Sequence, residues 1–180
     1  MKVSYPLSKL FPPRITIRDP QLYSFWVDVR SRAWKVRGVD EPLNALEQAG
    51  YSDLYAYRFD WDDQKSTFFA DFPAIIGAAH GTDISFVTGD YKFGPITAYI
   101  YPDNRSREQM QRTIMNIWAD FARTAIPDSS LPFKWPAYNS SQRAFVHLDR
   151  DRDLALGNDI TTLDSLLARV AANSHASHVE

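Results

Sequence analysis

The chain has 180 residues, of which 44% are apolar and 14% aromatic, so it is long and apolar enough for one globular domain with a real core. Its formal net charge of -2 gives no reason to expect a nucleic-acid partner or an anionic membrane surface. It has no cysteine and only four histidines, which excludes disulfides, thiolate metal sites and a cysteine nucleophile. We therefore expect no metal and no cofactor. Because no run reaches the length of a membrane span and the N-terminus lacks the apolar core of a signal peptide, we expect a cytoplasmic protein.

Residues 1–18 are predicted to form an extended, irregular N-terminal arm, because prolines interrupt them and their apolar residues have no helical period. Such an arm either lies across a surface supplied by something else or is an ordinary extended terminus. Asp19 then reads as an N-cap, and apolar side chains at helical spacing predict a helix over Pro20–Val36. The other side of that helix carries a basic cluster that either meets an anion or faces solvent, formed by Arg30, Arg32, Lys35 and Arg37.

A short helix over Glu41–Ala49 is expected to stop at Gly50. The next segment, Asp53–Phe59, is largely apolar or aromatic on both faces, which predicts a strand covered on both sides. In a protein that lacked its neighbours, this strand would leave apolar surface exposed.

His80 lies in the middle of the stretch Phe72–Asp90, between small residues that leave its imidazole uncovered. Proline and glycine break any long helix there, so the sequence predicts a loop after the preceding strand. A histidine on such a loop is well placed to transfer protons near neutral pH, or it is a loop residue with no role.

The second half of the chain contains the clearest helix, which Ser106 and Gln109 are expected to start as a capping box and which runs to about Thr124. A strand over Ala144–Asp149 is predicted to pair with Leu154–Gly157, and a last helix is predicted over Ile160–Val170. Residues 173–180 are predicted to be a disordered tail, which contains His175 and His178.

Six motifs together carry a resemblance: SRAW (31–34), RGVDEP (37–42), YAYRFDW (55–61), GAAHGTDI (77–84), WADFART (118–124) and KWPAY (134–138). In order and spacing, from about Asp19 to Leu156, they resemble the C-terminal part of a type-B carboxylesterase, the cholinesterase-like branch of the α/β-hydrolases. Residues 19–172 are accordingly identified as the C-terminal segment of such a domain. The resemblance implies a partial α/β-hydrolase fold, to which this chain supplies the last strands of a mostly parallel sheet and covering helices.

The resemblance also implies that His80 is the base of a Ser-acid-His triad, in a serine esterase that hydrolyses small carboxylic esters. Asp83 matches a buried acidic position behind the active site of such enzymes. A carboxylate that caps the loop is an equally good interpretation of Asp83.

The other catalytic parts are not in this sequence. It contains no G-x-S-x-G elbow, because the one pair of glycines four apart, Gly77 and Gly81, has Ala79 midway. Residues 1–18, which precede the matching segment, contain no Asp or Glu that could be the triad acid. The chain alone is therefore predicted to be inactive.

Three explanations follow from the missing groups. The chain is the C-terminal fragment of a longer esterase, separated by a frameshift, a gene split or truncation, and its partner is the missing N-terminal part or a second copy of itself. Alternatively it is a non-catalytic protein-binding module of the cholinesterase-like family. A third possibility is a different enzyme that uses His80 in a new way.

Overall fold

The structure is a computed structural model, and it describes residues 1–4, 13–127, 131–150 and 153–176. The chain divides into two compact units. We call the first the sheet unit; it comprises Met1–Arg18, Tyr57–Pro136 and Phe145–Gly157. We call the second the helical unit; it comprises Asp19–Ala56, Ala137–Ala144 and Asn158–Glu180.

The strands are β1 (Lys2–Ser4), β2 (Arg14–Thr16), β3 (Tyr57–Phe59), β4 (Ala144–Leu148) and β5 (Ala155–Asn158). The helices are α1 (Pro20–Lys35), α2 (Glu41–Gln48), α3 (Phe72–Ile75), α4 (Ile84–Thr88), α5 (Thr97–Ile100), α6 (Arg105–Thr124) and α7 (Leu163–Ala176). A π-helical turn, Val36–Asp40, joins α1 directly to α2. None of the described helices is both long and apolar enough to span a membrane.

A three-stranded sheet in the order β3-β4-β5 forms the centre of the sheet unit. Strands β3 and β4 run parallel, with Arg58 opposite His147 and Phe59 opposite Leu148. The predicted pairing of the segment before residue 150 with the segment after it is confirmed, although residues 151–152 of the turn lie outside the described residues.

The N-terminal segment is more regular than predicted. Strands β1 and β2 pair antiparallel, with Val3 opposite Ile15, and the backbone N–H of Ile15 donates to the carbonyl of Phe69 at 2.7 Å. Residues 5–12, which include Leu7, Leu10 and Phe11 of the predicted arm, lie outside the described residues.

Aromatic side chains fill the core of the sheet unit. Trp61 and Phe86 are fully buried, with ring centroids 4.9 Å apart in an edge-to-face arrangement. Helix α6 adds Met110, Ile114 and Ile117 from one face. This core fixes the segments on either side of His80.

Helix α6 does not begin with the predicted capping box. Its N-cap is Asn104, whose side-chain oxygen accepts from the backbone N–H of Arg107 at 2.8 Å. The Ser106 hydroxyl instead donates to the Asp63 carboxylate and accepts from the indole N–H of Trp61. The prediction failed because a tertiary partner took the hydroxyl that local capping would have used.

Strand β3 is shorter than the predicted Asp53–Phe59. The carbonyl of Leu54 accepts from the backbone N–H of Tyr138 at 2.6 Å, so residues before Tyr57 pair with a loop. Only Tyr57–Phe59 joins the parallel ladder.

In the helical unit, α1 starts as predicted. The Asp19 side chain accepts from the backbone N–H of Leu22 at 2.9 Å, and Pro20 occupies the first turn. The π-helical turn places Asp40 in the interior with 1% of its surface exposed. Its carboxylate is satisfied by Lys35 at 2.8 Å and Arg143 at 3.2 Å, as a buried charge requires.

Helix α7 differs from the predicted Ile160–Val170. Its first turn is held by reciprocal contacts between Thr162 and Ser165, so it begins at Leu163 and leaves Ile160 outside and 67% exposed. It continues to Ala176, so the predicted tail is helical over 173–176, and residues 177–180, including His178, lie outside the described residues. Among residues 163–174, Leu166 is buried, whereas Leu167 is 67% exposed.

Candidate functional site

His80 lies in the turn between α3 and α4, and its side chain is exposed. The turn depends on two glycines with positive φ, Gly77 at 54° and Gly81 at 83°. A Cβ on Gly77 would also lie 3.2 Å from the carbonyl oxygen of Pro73. Local sequence therefore both bends the chain at His80 and keeps the neighbouring side chains small.

Three hydrogen bonds anchor the turn. The Gln64 amide donates to the carbonyl of Gly77 at 2.8 Å, and the buried Thr82 hydroxyl donates to the carbonyl of Ala79 at 2.6 Å. The Tyr101 hydroxyl donates to the carbonyl of Thr82 at 3.2 Å. The imidazole of His80 thus projects from a backbone that is held on both sides.

Asp83, three residues after His80, is half-buried and accepts a hydrogen bond from the Tyr57 hydroxyl at 3.0 Å. Burial, followed by the negative charge of Asp83 and the hydrogen bond to it, raises the pKa of Tyr57 well above its usual range. Although Asp83 occupies the N-cap position of α4, its side chain makes no capping bond to that helix. The carboxylate therefore faces the end of β3, and the geometry does not support the interpretation of Asp83 as a capping residue.

A second histidine, His147, also has a carboxylate partner, which the sequence did not predict. His147 Nδ1 lies 2.7 Å from Asp60 Oδ2, and the Arg58 guanidinium lies 2.8 Å and 2.9 Å from the two oxygens of the same carboxylate. The other ring nitrogen faces β5, because a Cβ on Gly157 would lie 2.5 Å from His147 Nε2. This imidazole has a carboxylate on one nitrogen and the backbone of β5 near the other, and its side chain is 26% exposed, so it is less accessible than the exposed imidazole of His80.

The contacts of His147 were not accessible from sequence, because they depend on the register that sets it opposite Arg58. The only signal was the polar residue inside an otherwise apolar strand. Tyr57, by contrast, lies within the YAYRFDW motif, but only the fold shows its contact with Asp83.

Within the described residues, no group of three or more His, Asp or Glu side chains is arranged to hold a metal ion. The candidate site consists of the exposed imidazole of His80 and the hydrogen-bonded pair Tyr57–Asp83, in which Asp83 follows His80 by three residues.

The family of this chain follows from a sequence match over the region that contains both His80 and His147. The sequence model of the carboxylesterase family matches residues 36–164, well over half of the chain. This chain belongs to the carboxylesterase family. The predicted resemblance is thereby confirmed, and the match includes His80, Asp83 and Tyr57.

Two relatives show how much of a carboxylesterase is present. The acetylcholinesterase of Gallus gallus is 34% identical over 153 residues, which are 78% of this chain and 19% of that protein. The para-nitrobenzyl esterase of Bacillus subtilis (strain 168) is 30% identical over 115 residues, 64% of this chain and 21% of that protein. The chain thus spans about one fifth of the length of these carboxylesterases.

A solved carboxylesterase structure shares the fold. The Geobacillus stearothermophilus carboxylesterase EST55 at pH 6.2 matches with a TM-score of 0.56 and 22% identity, over 86% of this chain and 29% of that one. At this identity the likeness shows the fold alone. The predicted class, a partial α/β-hydrolase fold, is confirmed.

Proposed function

We propose that this chain supplies the general base of a serine carboxylesterase whose nucleophile, triad acid and oxyanion hole belong to an N-terminal part outside residues 1–180. The observation that carries the proposal is His80, exposed on a turn that two positive-φ glycines shape and three hydrogen bonds anchor. That turn lies within the region that matches the family.

In the proposed reaction, the serine hydroxyl attacks the ester carbonyl while His80 takes its proton. The imidazolium then returns that proton to the leaving alcohol, and a water molecule repeats the cycle to release the acid. A carboxylate on the other ring nitrogen must orient the imidazole, and backbone N–H groups must stabilise the tetrahedral oxyanion. We assign those groups to the N-terminal part.

Asp83 has a different proposed role, as a negative charge behind the base. Its carboxylate is half-buried and fixed by the Tyr57 hydroxyl at 3.0 Å. A fixed negative charge near His80 favours the imidazolium that forms as the serine loses its proton. Asp83 thus assists His80 through electrostatics without exchanging a proton itself.

The test is complementation. The full chain should hydrolyse p-nitrophenyl acetate no faster than free imidazole, because the serine and oxyanion donors supply most of the rate of such enzymes. Co-expression with the N-terminal part of a family esterase, ending before the segment that matches Asp19, should restore saturable hydrolysis. A matched sample in which the serine of that N-terminal part is replaced by alanine should stay inactive.

Two results would contradict the proposal. Saturable turnover by the chain alone, lost in His80→Ala, would mean that His80 works with a nucleophile of its own chain. A purified complex of both parts that binds but never hydrolyses an ester would favour the non-catalytic module.

The second candidate, a non-catalytic protein-binding module, is favoured by one observation in the helical unit. Four large apolar side chains of α1 are exposed by 43 to 56% of their surface: Leu22, Trp26, Val27 and Trp34. Surface of this kind marks interaction sites. Light scattering on the same samples separates the two functions, because a module that works alone should be a stable monomer, whereas a fragment should self-associate until its N-terminal part is present.

A further inference from the structure

Helices α1 and α7 enclose an apolar groove within the helical unit. The groove has a volume of about 590 Å³, and every residue that lines it is apolar, glycine or arginine. Trp34 and Leu167 border it with 56% and 67% of their surfaces exposed. The indole lies against Gly38, where an added Cβ would be 3.4 Å from the ring. The groove therefore presents a wide, flat aromatic face to solvent.

The basic cluster of α1 divides into two pairs. Arg32 lies 2.8 Å from Asp28 and 2.9 Å from Asp159, and Lys35 lies 2.8 Å from Asp40. Arg30 and Arg37 are exposed, and no carboxylate among the described residues pairs with either one. These two arginines both line the groove. Within the basic cluster, the two charges that have no carboxylate partner among the described residues thus lie at the apolar groove.

We propose that this groove binds an acidic amphipathic helix of a partner protein, with apolar side chains in the groove and carboxylates on Arg30 and Arg37. The charge of the site argues for an acidic partner, since the lining includes no carboxylate to repel one. Tryptophan and arginine are also the residue types that most often dominate binding energy at interfaces. This proposal is independent of any catalytic role of His80.

The spacing of the arginines specifies the partner. Arg37 follows Arg30 by seven positions and lies in the π-helical turn that continues α1, so the two arginines are about two helical turns, or about 10 Å, apart along the helix axis. A helix laid along the groove meets both guanidinium groups when its acidic residues are at positions i and i+7. Leucines at i+3 and i+4 of the same helix would then point at Trp34 and Leu167.

The experiment uses the full chain and a fluorescein-labelled 14-residue helical peptide with glutamates at i and i+7 and leucines at i+3 and i+4. Fluorescence anisotropy should show saturable binding that weakens as NaCl rises from 0.05 to 0.3 M. A peptide with glutamine in place of both glutamates should bind about tenfold more weakly or not at all. If it binds equally well, the proposal is wrong, and this comparison needs no protein variant.

On the protein side, the double substitution Arg30→Glu, Arg37→Glu should lower the affinity by about tenfold or more. Trp34→Ala should lower it without changing the salt dependence. The matched control is Arg105→Glu, Lys134→Glu, which reverses two exposed charges of the sheet unit and should leave binding unchanged. Circular dichroism checks that each variant is folded.

Three outcomes would overturn the proposal. Equal loss of binding in both double variants would show nonspecific attraction by net charge. Self-association of the chain that disappears in Trp34→Ala would identify a second copy as the occupant. Loss of peptide binding in the complex with an N-terminal esterase part would show that the rest of the enzyme covers the groove.

Discussion

His80 and His147 belong to the same compact unit, yet their surroundings are opposite in character. His147 has the closer likeness to a catalytic pair, with Asp60 2.7 Å from Nδ1 and Arg58 holding that carboxylate in place. Its Nε2 faces the backbone of β5 at Gly157. His80, in contrast, lies on an exposed turn of small residues.

A short histidine–carboxylate contact also occurs in ion pairs with a structural role, so the contact does not by itself identify a catalytic base. A base must also present a ring nitrogen to the group that loses the proton, at about hydrogen-bond distance. In His147, Nδ1 contacts Asp60, just after β3, and Nε2 lies close to Gly157 of β5. Access, rather than the carboxylate, separates the two histidines.

The largest expected effect tests this comparison directly. In the complex with an N-terminal esterase part, His80→Ala should lower kcat/KM by on the order of 10²–10⁴-fold, because the base is lost. His147→Gln should leave kcat/KM close to that of the unsubstituted complex. The comparison breaks if His147→Gln lowers activity as much as His80→Ala while thermal unfolding shows that both variants are equally stable.

A smaller effect should come from Gly157→Ala. The new Cβ would lie 2.5 Å from His147 Nε2 and 3.0 Å from the Phe145 ring, so we expect a loss of about 1–3 kcal/mol in the free energy of unfolding. Urea denaturation measures this loss. The same substitution in a His147→Ala background should cost clearly less, as a double-mutant cycle reports. An equal loss in both backgrounds would mean that His147 is not what occupies that space.

The smallest expected effect concerns the carboxylate behind His80. Tyr57→Phe removes the donor to the half-buried Asp83, and we expect a loss of about 1 kcal/mol at pH 7. This stabilisation is present below the pKa of an unfolded tyrosine, about 10, and declines at higher pH. The pKa of Tyr57 is raised in the folded state, so the unfolded chain releases that proton first and stability falls as pH rises.

Between pH 10 and pH 12, the free energy of unfolding should therefore fall less for Tyr57→Phe than for the unsubstituted chain. Burial raises the pKa of Tyr91 to about 12, so part of the alkaline loss should remain in both proteins. Tyr51→Phe is the matched control, because that ring is 63% exposed. Identical alkaline slopes for Tyr57→Phe and the unsubstituted chain would contradict this account of Asp83.

Features that depend on neighbouring residues in the chain could be predicted from the sequence. Asp19 followed by Pro20 has few conformations other than a helix start, and Gly77 and Gly81 around His80 favour positive φ, so the first helix and the exposed histidine turn were both predictable. The spaced motifs identified the family for the same reason, since they are read residue by residue.

Tertiary structure alone decided whatever depends on a partner distant in the chain. Ser106 bonds Asp63 and Trp61 instead of capping α6, and Leu54 bonds Tyr138 instead of extending β3, because those partners become neighbours only on folding. In the same way, the cluster Arg30, Arg32, Lys35 and Arg37 looks uniform in sequence. Only the fold brings Asp159, 127 residues away, to Arg32 and leaves Arg30 and Arg37 beside an apolar groove, because such contacts depend on distance in space.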